Sequence, residues 1–341
     1  MRLGVIKKKH YSYWWMVWSE FKKNKMAMCG LVVIFFFGFI ATFAPFIAND
    51  VPIVMKKNNR IYLFPNVIKY SDLLSENLYA NFDLWKPAPG EWCIKPIVPF
   101  GPLRQNLEVV LHPPNRIHWL GTDDRGRDVL SRMIWGARLS LSVGFVSVGI
   151  AVLMGIVLGS LAGFLGSWVD TVVLRLIELM LVIPTFFLII TVMAFLPPSV
   201  WTIMVVIGLT SWPGVARLVR GEFLRQREME YVLSAKVLGL SGIRTMFRHV
   251  LPNALGPVYV SATFGLAGAI LMESGLSFLG FGAPPPTPSW GELLKQSQSY
   301  VDFAWWLVLF PGLAIFITVT AFNLVGEGLR DAMDPRLRGG R

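Results

Sequence analysis

The sequence predicts an all-α integral membrane protein with six transmembrane helices, a cytoplasmic hairpin and a long extracytoplasmic insertion between spans one and two. Hydrophobic residues make up 54% and charged residues only 16% of the 341 residues, and the mean hydropathy is +0.54. A soluble globular domain carries about 25% charged residues, so lipid must be the solvent for part of this chain. A third observation, a series of long charge-free stretches, locates the spans.

The first predicted span is the charge-free stretch 26–48, which follows a cytoplasmic N-terminal segment at residues 1–25. A membrane helix needs about 20 predominantly apolar residues. The alternative is a signal peptide, but its charged region would be unusually long. Its apolar region would also exceed the roughly 7–15 residues expected of such a peptide. We therefore expect a retained transmembrane helix.

Residues 49–138 are expected to form the extracytoplasmic insertion, which ends in an amphipathic helix from Asp128 to Arg138. Its content of aromatic residues exceeds that of disordered segments and predicts an ordered layer. These aromatic residues are Phe64, Phe82, Trp85, Trp92 and Phe100. The adjacent Asp123 and Asp124 lie in a glycine-rich turn, and we interpret them as caps of the amphipathic helix rather than as an acid–base pair.

Residues 139–341 are expected to form the core of the protein, with spans two to six. The charge-free stretches that carry these five spans are 139–169, 179–216, 251–272 and 303–326. The second stretch is interrupted by Pro197 and Pro198 and is slightly short for two spans. Span three is therefore expected to begin earlier and to include Arg175 and Glu178, which can pair on one helical face.

Basic residues predict the orientation, because short cytoplasmic connections are enriched in Lys and Arg. Residues 1–25 hold seven basic residues and residues 217–248 hold another seven, whereas the turn at Pro197 and Pro198 holds none. The tail adds Arg330, Arg336, Arg338 and Arg341. Both termini and the loop 217–250 are therefore expected in the cytoplasm. The twelve basic residues of the insertion do not decide the matter, because connections longer than about 60 residues translocate largely regardless of charge.

Two spans carry small residues at every fourth position. In span two these are Gly155, Gly159 and Gly163; in span five they are Ser261, Gly265 and Ala269, which lead to Glu273. Such spacing permits close approach of helices in lipid. The two faces either pack within the chain or line a pathway or a subunit interface. Glu273 is either functional or an interfacial group that is hydrated or bonded to backbone.

The loop between spans four and five predicts a helix–glycine–helix hairpin. The first helix has a predicted apolar stripe of Leu224, Tyr231, Ala235 and Leu238, with Val232 beside it. Gly239 can adopt a positive φ and end this helix, and Ser241 can cap a second helix. The second helix is expected to turn Ile243, Phe247 and Val250 inward, before Pro252 kinks the chain. The hairpin either folds back on the bundle or docks into a groove of another protein.

This loop resembles the EAA motif of bacterial ATP-binding-cassette importer permeases, which reads E-A-A, three residues, Gly, and later I-x-L-P. Ala235, Gly239, Leu251 and Pro252 match the pattern, whereas its glutamate is replaced by Leu233. The resemblance assigns ATPase coupling to Glu230, Tyr231, Ala235, Lys236, Gly239, Leu240, Ser241, Phe247 and Pro252.

Further blocks resemble the C-type subunit of the dipeptide/oligopeptide permease branch. HWLGTD and GRDV precede span two, LSFLG and PPTPSWG follow span five, and AFNL with DPR closes the chain. Together these blocks cover roughly residues 118–339. The longer segment 49–117 is similar to that of the Yej-type permease, which is associated with peptides and with uptake of microcin C.

The resemblance implies a multi-pass protein of the bacterial inner membrane that forms half of the translocation pathway for peptides or peptide-like compounds. It implies a second homologous permease, two cytoplasmic ATPase domains and a periplasmic substrate-binding protein as partners, besides membrane lipid. The sequence contains no G-x-x-x-x-G-K-[ST] phosphate loop, so we expect no cofactor on this chain and ATP hydrolysis by the partner subunits. The insertion is expected to cover the outer mouth or to meet the binding protein.

Other functions have less support in the sequence. The chain shows no face of interleaved basic and aromatic residues, so nucleic acid is not an expected partner. Its four histidines form no ligand cluster, and neither H-E-x-x-H nor a nucleophile elbow occurs. We therefore expect no catalytic or metal-binding residues and no enzymatic activity. The alternatives are a six-span secondary carrier, for which internal repeats would be expected, a membrane enzyme, or a purely structural subunit.

Overall fold

The computed structural model describes residues 12–75, 78–80, 82 and 87–334, with the side chains of Ala80 and Lys236 excepted. Within these ranges, five single helices are long and apolar enough to cross a membrane. A sixth candidate is a pair of helices bent by 87°. The predicted basic residues before position 12 and after position 334, and Trp85 of the insertion, lie outside the described residues.

The chain begins with a short helix and the first candidate span, α1 (Tyr13–Phe21) and α2 (Lys25–Ile47). The insertion contains β1 (Val54–Lys57), β2 (Arg60–Leu63), α3 (Ser71–Ser75) and β3 (Trp92–Ile94). The core begins with α4 (Val129–Leu165), α5 (Ser167–Val182), α6 (Thr185–Phe195) and α7 (Val200–Gln226). The hairpin region contains α8 (Glu230–Val237), α9 (Gly242–Thr245) and α10 (Leu251–Ala254), and α11 (Gly256–Phe278), α12 (Trp290–Ser297) and α13 (Trp306–Met333) complete the chain.

The insertion departs from the predicted all-α fold, because it contains a three-stranded antiparallel sheet in the order β2-β1-β3. Met55, Tyr62 and Cys93 are opposite one another on its three strands. They point to a small hydrophobic core that also contains Leu73 and Phe82. The strands were not predicted because each has only three or four residues, too few for a clear alternating pattern.

Helix α4 is one uninterrupted helix of 37 residues. The expected separate amphipathic helix from Asp128 to Arg138 is therefore wrong: these residues form the start of α4, and the predicted boundary at 138/139 falls inside it. No proline interrupts α4, and its charged first turns are compatible with a membrane helix because the Arg132 side chain is fully buried. The helix ends at Gly166, which has a φ of +64°, as expected for a glycine at a helix C-terminus.

The third predicted span is bent rather than straight. Helix α5 begins at Ser167, earlier than predicted, and ends before Ile183, which adopts an extended conformation. Pro184 explains the break, because proline disfavours the helical conformation in the residue before it. Arg175 and Glu178 pair as predicted, with the guanidinium 2.8 Å from the carboxylate and both side chains exposed.

The glycines of span two pack against α7. A Cβ built on Gly155 would lie 2.5 Å from the Val215 Cβ, and one built on Gly159 would lie 2.5 Å from the Ala216 carbonyl oxygen. Gly163 is equally close to Phe223. Of the two hypotheses for this face, close packing within the chain is therefore confirmed. The contact joins α4 to the helix that leads into the hairpin.

Candidate functional site

The hairpin follows α7 at the end of the helix bundle opposite the insertion. Its first helix, α8, begins at Glu230, and Gly239 follows it with a φ of +77°. The predicted left-handed glycine is thus confirmed. The Ser241 hydroxyl accepts a hydrogen bond from the Arg244 backbone N–H at 3.4 Å, so the predicted cap is also confirmed. The second arm consists of α9, a π-helical turn at Met246–Val250 and α10, which has Pro252 in its first turn.

The predicted stripe on the first arm is wrong in part. Leu224 belongs to α7, because the chain breaks between α7 and α8, and Leu238 is 80% exposed. The buried residues of α8 are Val232 and Ala235. Tyr231 is partly exposed, and its hydroxyl donates a hydrogen bond to the Gln226 side-chain oxygen at 2.6 Å.

The second arm also differs from the prediction. Ile243 and Phe247 were expected to face inward but are 73% and 57% exposed. Met246, Val250 and Ala254 are the buried apolar residues. The π-helical turn shifts the register of the side chains relative to a regular α-helix, so Val250 leaves the helix face that carries Ile243 and Phe247. Val250 was correctly predicted to face inward.

The buried side of the hairpin packs on α7. Val232, Met246, Val250 and Ala254 form one hydrophobic cluster with Val215, Val219 and Phe223 of α7. The end of the hairpin, by contrast, presents apolar side chains to the outside on both sides of Gly239. We call this surface the docking tip; it consists of Leu233, Val237, Leu238, Ile243 and Phe247. A movement of the docking tip would be transmitted to α7 through the packed cluster.

A cleft of about 340 Å³ lies in the middle of the bundle, between α4, the start of α6, α7 and α11. Ser261, Gly265 and Ala269, the small residues of span five, line the cleft. Gly214 of α7 and Gly268 of α11 also line it, and a Cβ built on either would meet no heavy atom of the described residues within 4 Å. The two small-residue faces therefore differ: that of α4 is closed by α7, and that of α11 lines the cleft.

Glu273 does not line the cleft, although its sequence position grouped it with the pathway residues. Its side chain is fully buried. It accepts hydrogen bonds from the Ser140 hydroxyl of α4 at 3.2 Å and from the Ser277 hydroxyl at 2.8 Å. The hypothesis of a hydrated or backbone-bonded interfacial group is therefore wrong. Through Ser140, Glu273 links α11 to α4.

A buried ionic network joins the insertion to the start of α4 and to α12. Asp123 accepts hydrogen bonds from the Arg125 and Arg127 backbone N–H groups at 2.9 Å and from the Arg127 Nε at 2.7 Å. Arg132 donates to the Glu292 carboxylate. Burial raises the pKa of Glu292, and the charges of Arg132 and Arg127 oppose this shift.

The prediction that Asp123 and Asp124 cap the helix is wrong. Asp128 caps α4, because its side chain accepts a hydrogen bond from the Ser131 backbone N–H at 2.8 Å. Its other carboxylate oxygen lies 2.8 Å from the His118 Nδ1, and burial raises the Asp128 pKa. Arg132 and Glu292 were not predicted as site residues from the sequence. The two residues are 160 positions apart, so their pairing cannot be recognised in the sequence. The signal that the sequence offered was a charged residue beside an apolar stretch.

The helices that are long and apolar enough to cross a membrane, the central cleft and the hairpin with its exposed apolar tip are the features of a membrane transport permease. Two family models match the chain: "Binding-protein-dependent transport system inner membrane component" over residues 155–339 and "N-terminal TM domain of oligopeptide transport permease C" over residues 12–65. The chain belongs to this family of dipeptide/oligopeptide permeases, C-subunit type. It is a multi-pass inner-membrane subunit of an ATP-binding-cassette importer, which works with ATPases and a substrate-binding protein.

Individual relatives support the same assignment. The dipeptide transport system permease protein DppC of Alkalihalophilus pseudofirmus is 37% identical over 96% of this chain and 91% of its own length. DppC of Haemophilus influenzae is 44% identical over 71% of this chain and 84% of its own length. The oligopeptide transport system permease protein OppC of Bacillus subtilis is 33% identical over 98% of this chain and 93% of its own length. These matches favour the permease over the carrier and enzyme alternatives.

Proposed function

We propose that the chain forms half of the translocation pathway for peptides or peptide-like compounds, with the cleft between α4, α7 and α11 as its share of that pathway. The observation that carries the proposal is the connection between cleft and hairpin. Helix α7 lines the cleft with Gly214 and Val215, and Val215 also belongs to the cluster that holds the hairpin. One continuous helix thus links the docking tip to the cleft.

The lining of the cleft suits a cargo of variable side chains. It consists of small and apolar residues, and none of the residues that line it is charged. A surface of this kind offers no strong fixed partner to any one side chain, so cargo can enter without being trapped. Selectivity would then lie with the substrate-binding protein. Relatives named for dipeptide and oligopeptide transport agree with this cargo class.

Peptide-nucleotide conjugates such as microcin C remain a prediction for the cargo. The insertion at residues 49–117 suggested this narrower class. The alignments with the dipeptide and oligopeptide permeases, however, cover 96% and 98% of this chain. The insertion therefore does not distinguish the conjugates from ordinary peptides. Uptake of labelled dipeptides, longer peptides and a peptide-nucleotide conjugate by one reconstituted transporter would rank the three.

The hairpin is proposed as the contact with the ATPase. Helix-in-groove docking needs a short helical element that presents apolar anchors, and the docking tip presents such side chains outside the bundle. Ala235 and Phe247 are placed differently: Ala235 is buried beneath the tip, and Phe247 is exposed on it. Glu230, Lys236, Leu240 and Ser241 complete the proposed coupling region together with Tyr231, Gly239 and Pro252.

The proposed complex contains this chain, a second homologous permease, two cytoplasmic ATPase domains and a periplasmic binding protein. ATP is hydrolysed by the partner domains, and this chain binds no cofactor. The proposed orientation places both termini and the hairpin in the cytoplasm and the insertion outside. The basic residues around the hairpin support it, because Lys and Arg are retained on the cytoplasmic side.

A substitution that fills the cleft with a larger side chain tests the proposed pathway. Gly268→Leu should leave the subunit inserted and assembled, since a Cβ there meets nothing within 4 Å. It should reduce peptide uptake into proteoliposomes at least tenfold by occupying the cleft. Gly312→Leu on α13 is the matched control, because its Cβ would also meet nothing within 4 Å and Gly312 does not line the cleft. Equal uptake by the two variants would show that cargo passes elsewhere.

A further inference from the structure

A short segment of the insertion, residues 64–69, lies against the last turn of α2. The Phe64 ring contacts the Phe46 ring, with centroids 5.6 Å apart and planes at 83°. The Asn66 side-chain amide donates a hydrogen bond to the Pro45 carbonyl at 2.7 Å. The 23 residues of α2 span roughly 35 Å, enough to cross a hydrocarbon layer of about 30 Å. The segment is therefore held at the depth of one membrane surface.

The segment presents apolar side chains on a backbone that is held in place by hydrogen bonds. Phe64, Val67 and Ile68 are 43%, 54% and 50% exposed. The backbone N–H groups of Val67 and Ile68 both donate to the Phe64 carbonyl, at 2.9 and 2.8 Å. The Tyr79 hydroxyl donates to the Ile68 carbonyl at 3.1 Å. Phe64 itself has a φ of +54°, a conformation that is unusual and costly for an aromatic residue.

This apolar surface continues the aromatic face of α2. Ring centroids are 4.6 Å apart between Phe39 and Phe43 and 6.3 Å apart between Phe43 and Phe46, and the series ends on Phe64. Phe39 is 57% exposed in the middle of a membrane-crossing helix. The series therefore runs from the lipid-facing part of α2 directly onto the insertion. The exposed Lys69 follows the apolar residues, in a position where its ammonium group can reach lipid phosphates.

We propose that residues 64–69 form an interfacial membrane anchor. Phe64, Val67 and Ile68 enter the edge of the hydrocarbon layer at the insertion end of the protein, and Lys69 lies among the phosphate groups of the lipids. Short apolar elements flanked by basic residues bind to membrane surfaces in this way. Lipid is favoured over a protein partner because the surface is continuous with a helix that is already embedded. The anchor would hold the insertion beside span one and fix its height above the bilayer.

Spin-label accessibility tests the anchor in the assembled transporter, reconstituted into lipid nanodiscs. Nitroxide is attached to Val67→Cys or Ile68→Cys in a chain whose native cysteines are replaced by Cys29→Ser and Cys93→Ala. Ala88→Cys is the control, because Ala88 is exposed. The Glu91 carboxylate accepts hydrogen bonds from the backbone N–H groups of Ala88 and of Asn58, so Ala88 is held beside the β1–β2 turn. At 67 and 68, collisions with oxygen should exceed those with a water-soluble nickel chelate several-fold. At 88 the nickel chelate should dominate.

Other outcomes would overturn the proposal. Nickel-chelate accessibility at 67 and 68 equal to that at 88 would place the segment in water. Low accessibility to both reagents would indicate that another subunit covers it. Protection that develops only when the substrate-binding protein is added would make the surface a protein-docking site. Two label positions keep the test valid if one variant assembles poorly.

Discussion

The guanidinium of Arg132 in α4 donates a hydrogen bond to the carboxylate of Glu292 in α12, and both residues are buried. Arg132 Nε also lies 3.3 Å from the Asp123 carboxylate. One cation thus joins the loop before α4, α4 itself and α12. Burial of an ion pair costs desolvation energy, and the remaining charge is uncompensated when one partner is removed.

Removal of one partner of this pair is therefore expected to destabilise the subunit strongly. Arg132→Met should lower the free energy of unfolding by about 3–5 kcal/mol, measured by thermal unfolding of the purified complex. The double variant Arg132→Met, Glu292→Leu should recover part of the loss, because the buried carboxylate of Glu292 is then no longer left without its cation. Arg175→Met is the control, since Arg175 forms an exposed pair with Glu178 and its loss should change stability by less than about 1 kcal/mol. Equal effects of the two single variants would contradict the assigned role of the network.

The conformation of Gly239 should control the coupling to the ATPase. A Cβ built on Gly239 would meet no heavy atom of the described residues within 4 Å, so only the φ of +77° opposes a side chain at this position. A side chain in this conformation costs roughly 1–2 kcal/mol, too little to unfold the membrane helices but enough to misplace the docking tip. Gly239→Val should leave the subunit in the membrane and reduce co-purification of the ATPase or uncouple hydrolysis from uptake.

Gly221→Val is the matched control for this variant. Gly221 is exposed near the end of α7, has no positive φ, and its Cβ would also meet nothing within 4 Å. It should retain the ATPase. A charge at the buried Ala235, as in Ala235→Glu, should reproduce the defect of Gly239→Val. Normal ATPase retention and normal uptake in both hairpin variants would exclude this loop as the coupling element.

The contact between α4 and α7 should tolerate no added methyl group at Gly159. A Cβ there would lie 2.5 Å from the Ala216 carbonyl oxygen, and backbone cannot move aside as a side chain can. Gly159→Ala should cost about 1–3 kcal/mol of stability through overpacking and lower the yield of folded subunit. Gly149→Ala in the same helix should be neutral or slightly stabilising, because no heavy atom lies within 4 Å of its Cβ. Detergent-solubilised yield and thermal stability of the two variants provide the comparison.

Glu273 should affect stability more than transport. Its carboxylate accepts hydrogen bonds from two serine hydroxyls, and removal of a buried acceptor costs about 1–3 kcal/mol. Glu273→Ala should therefore lower thermal stability, while Glu273→Gln keeps an acceptor and should transport peptides at near wild-type rates. A loss of uptake in a fully stable Glu273→Gln variant would instead indicate that Glu273 takes part in the translocation pathway.

Cysteine labelling should establish the proposed orientation. In the cysteine-free background, Pro198→Cys before α7 should react with an impermeant thiol reagent in intact cells. Glu228→Cys between α7 and α8 should react only after the membrane is opened; both residues are exposed. The difference follows from the expected retention of the basic loop in the cytoplasm. Reversed labelling would invert the whole topology.

The sequence by itself determined that this is a membrane protein and where most of its spans lie. A helix that crosses lipid must be about 20 apolar residues long and satisfies its own backbone hydrogen bonds, so local composition reveals it. The positive φ of Gly239 and the cap at Ser241 were also predictable, because both depend on the properties of one residue and its near neighbours.

Only the tertiary structure decided which faces of the helices are closed and which are open. The glycines of α4 and the small residues of α11 have the same spacing, yet α7 covers the first set and the second set lines the cleft. The bend at Ile183, the π-helical turn that exposes Phe247 and the pairing of Arg132 with Glu292 likewise escaped prediction. Each depends on how distant or differently wound segments meet in space, and residue spacing along one helix does not contain that information.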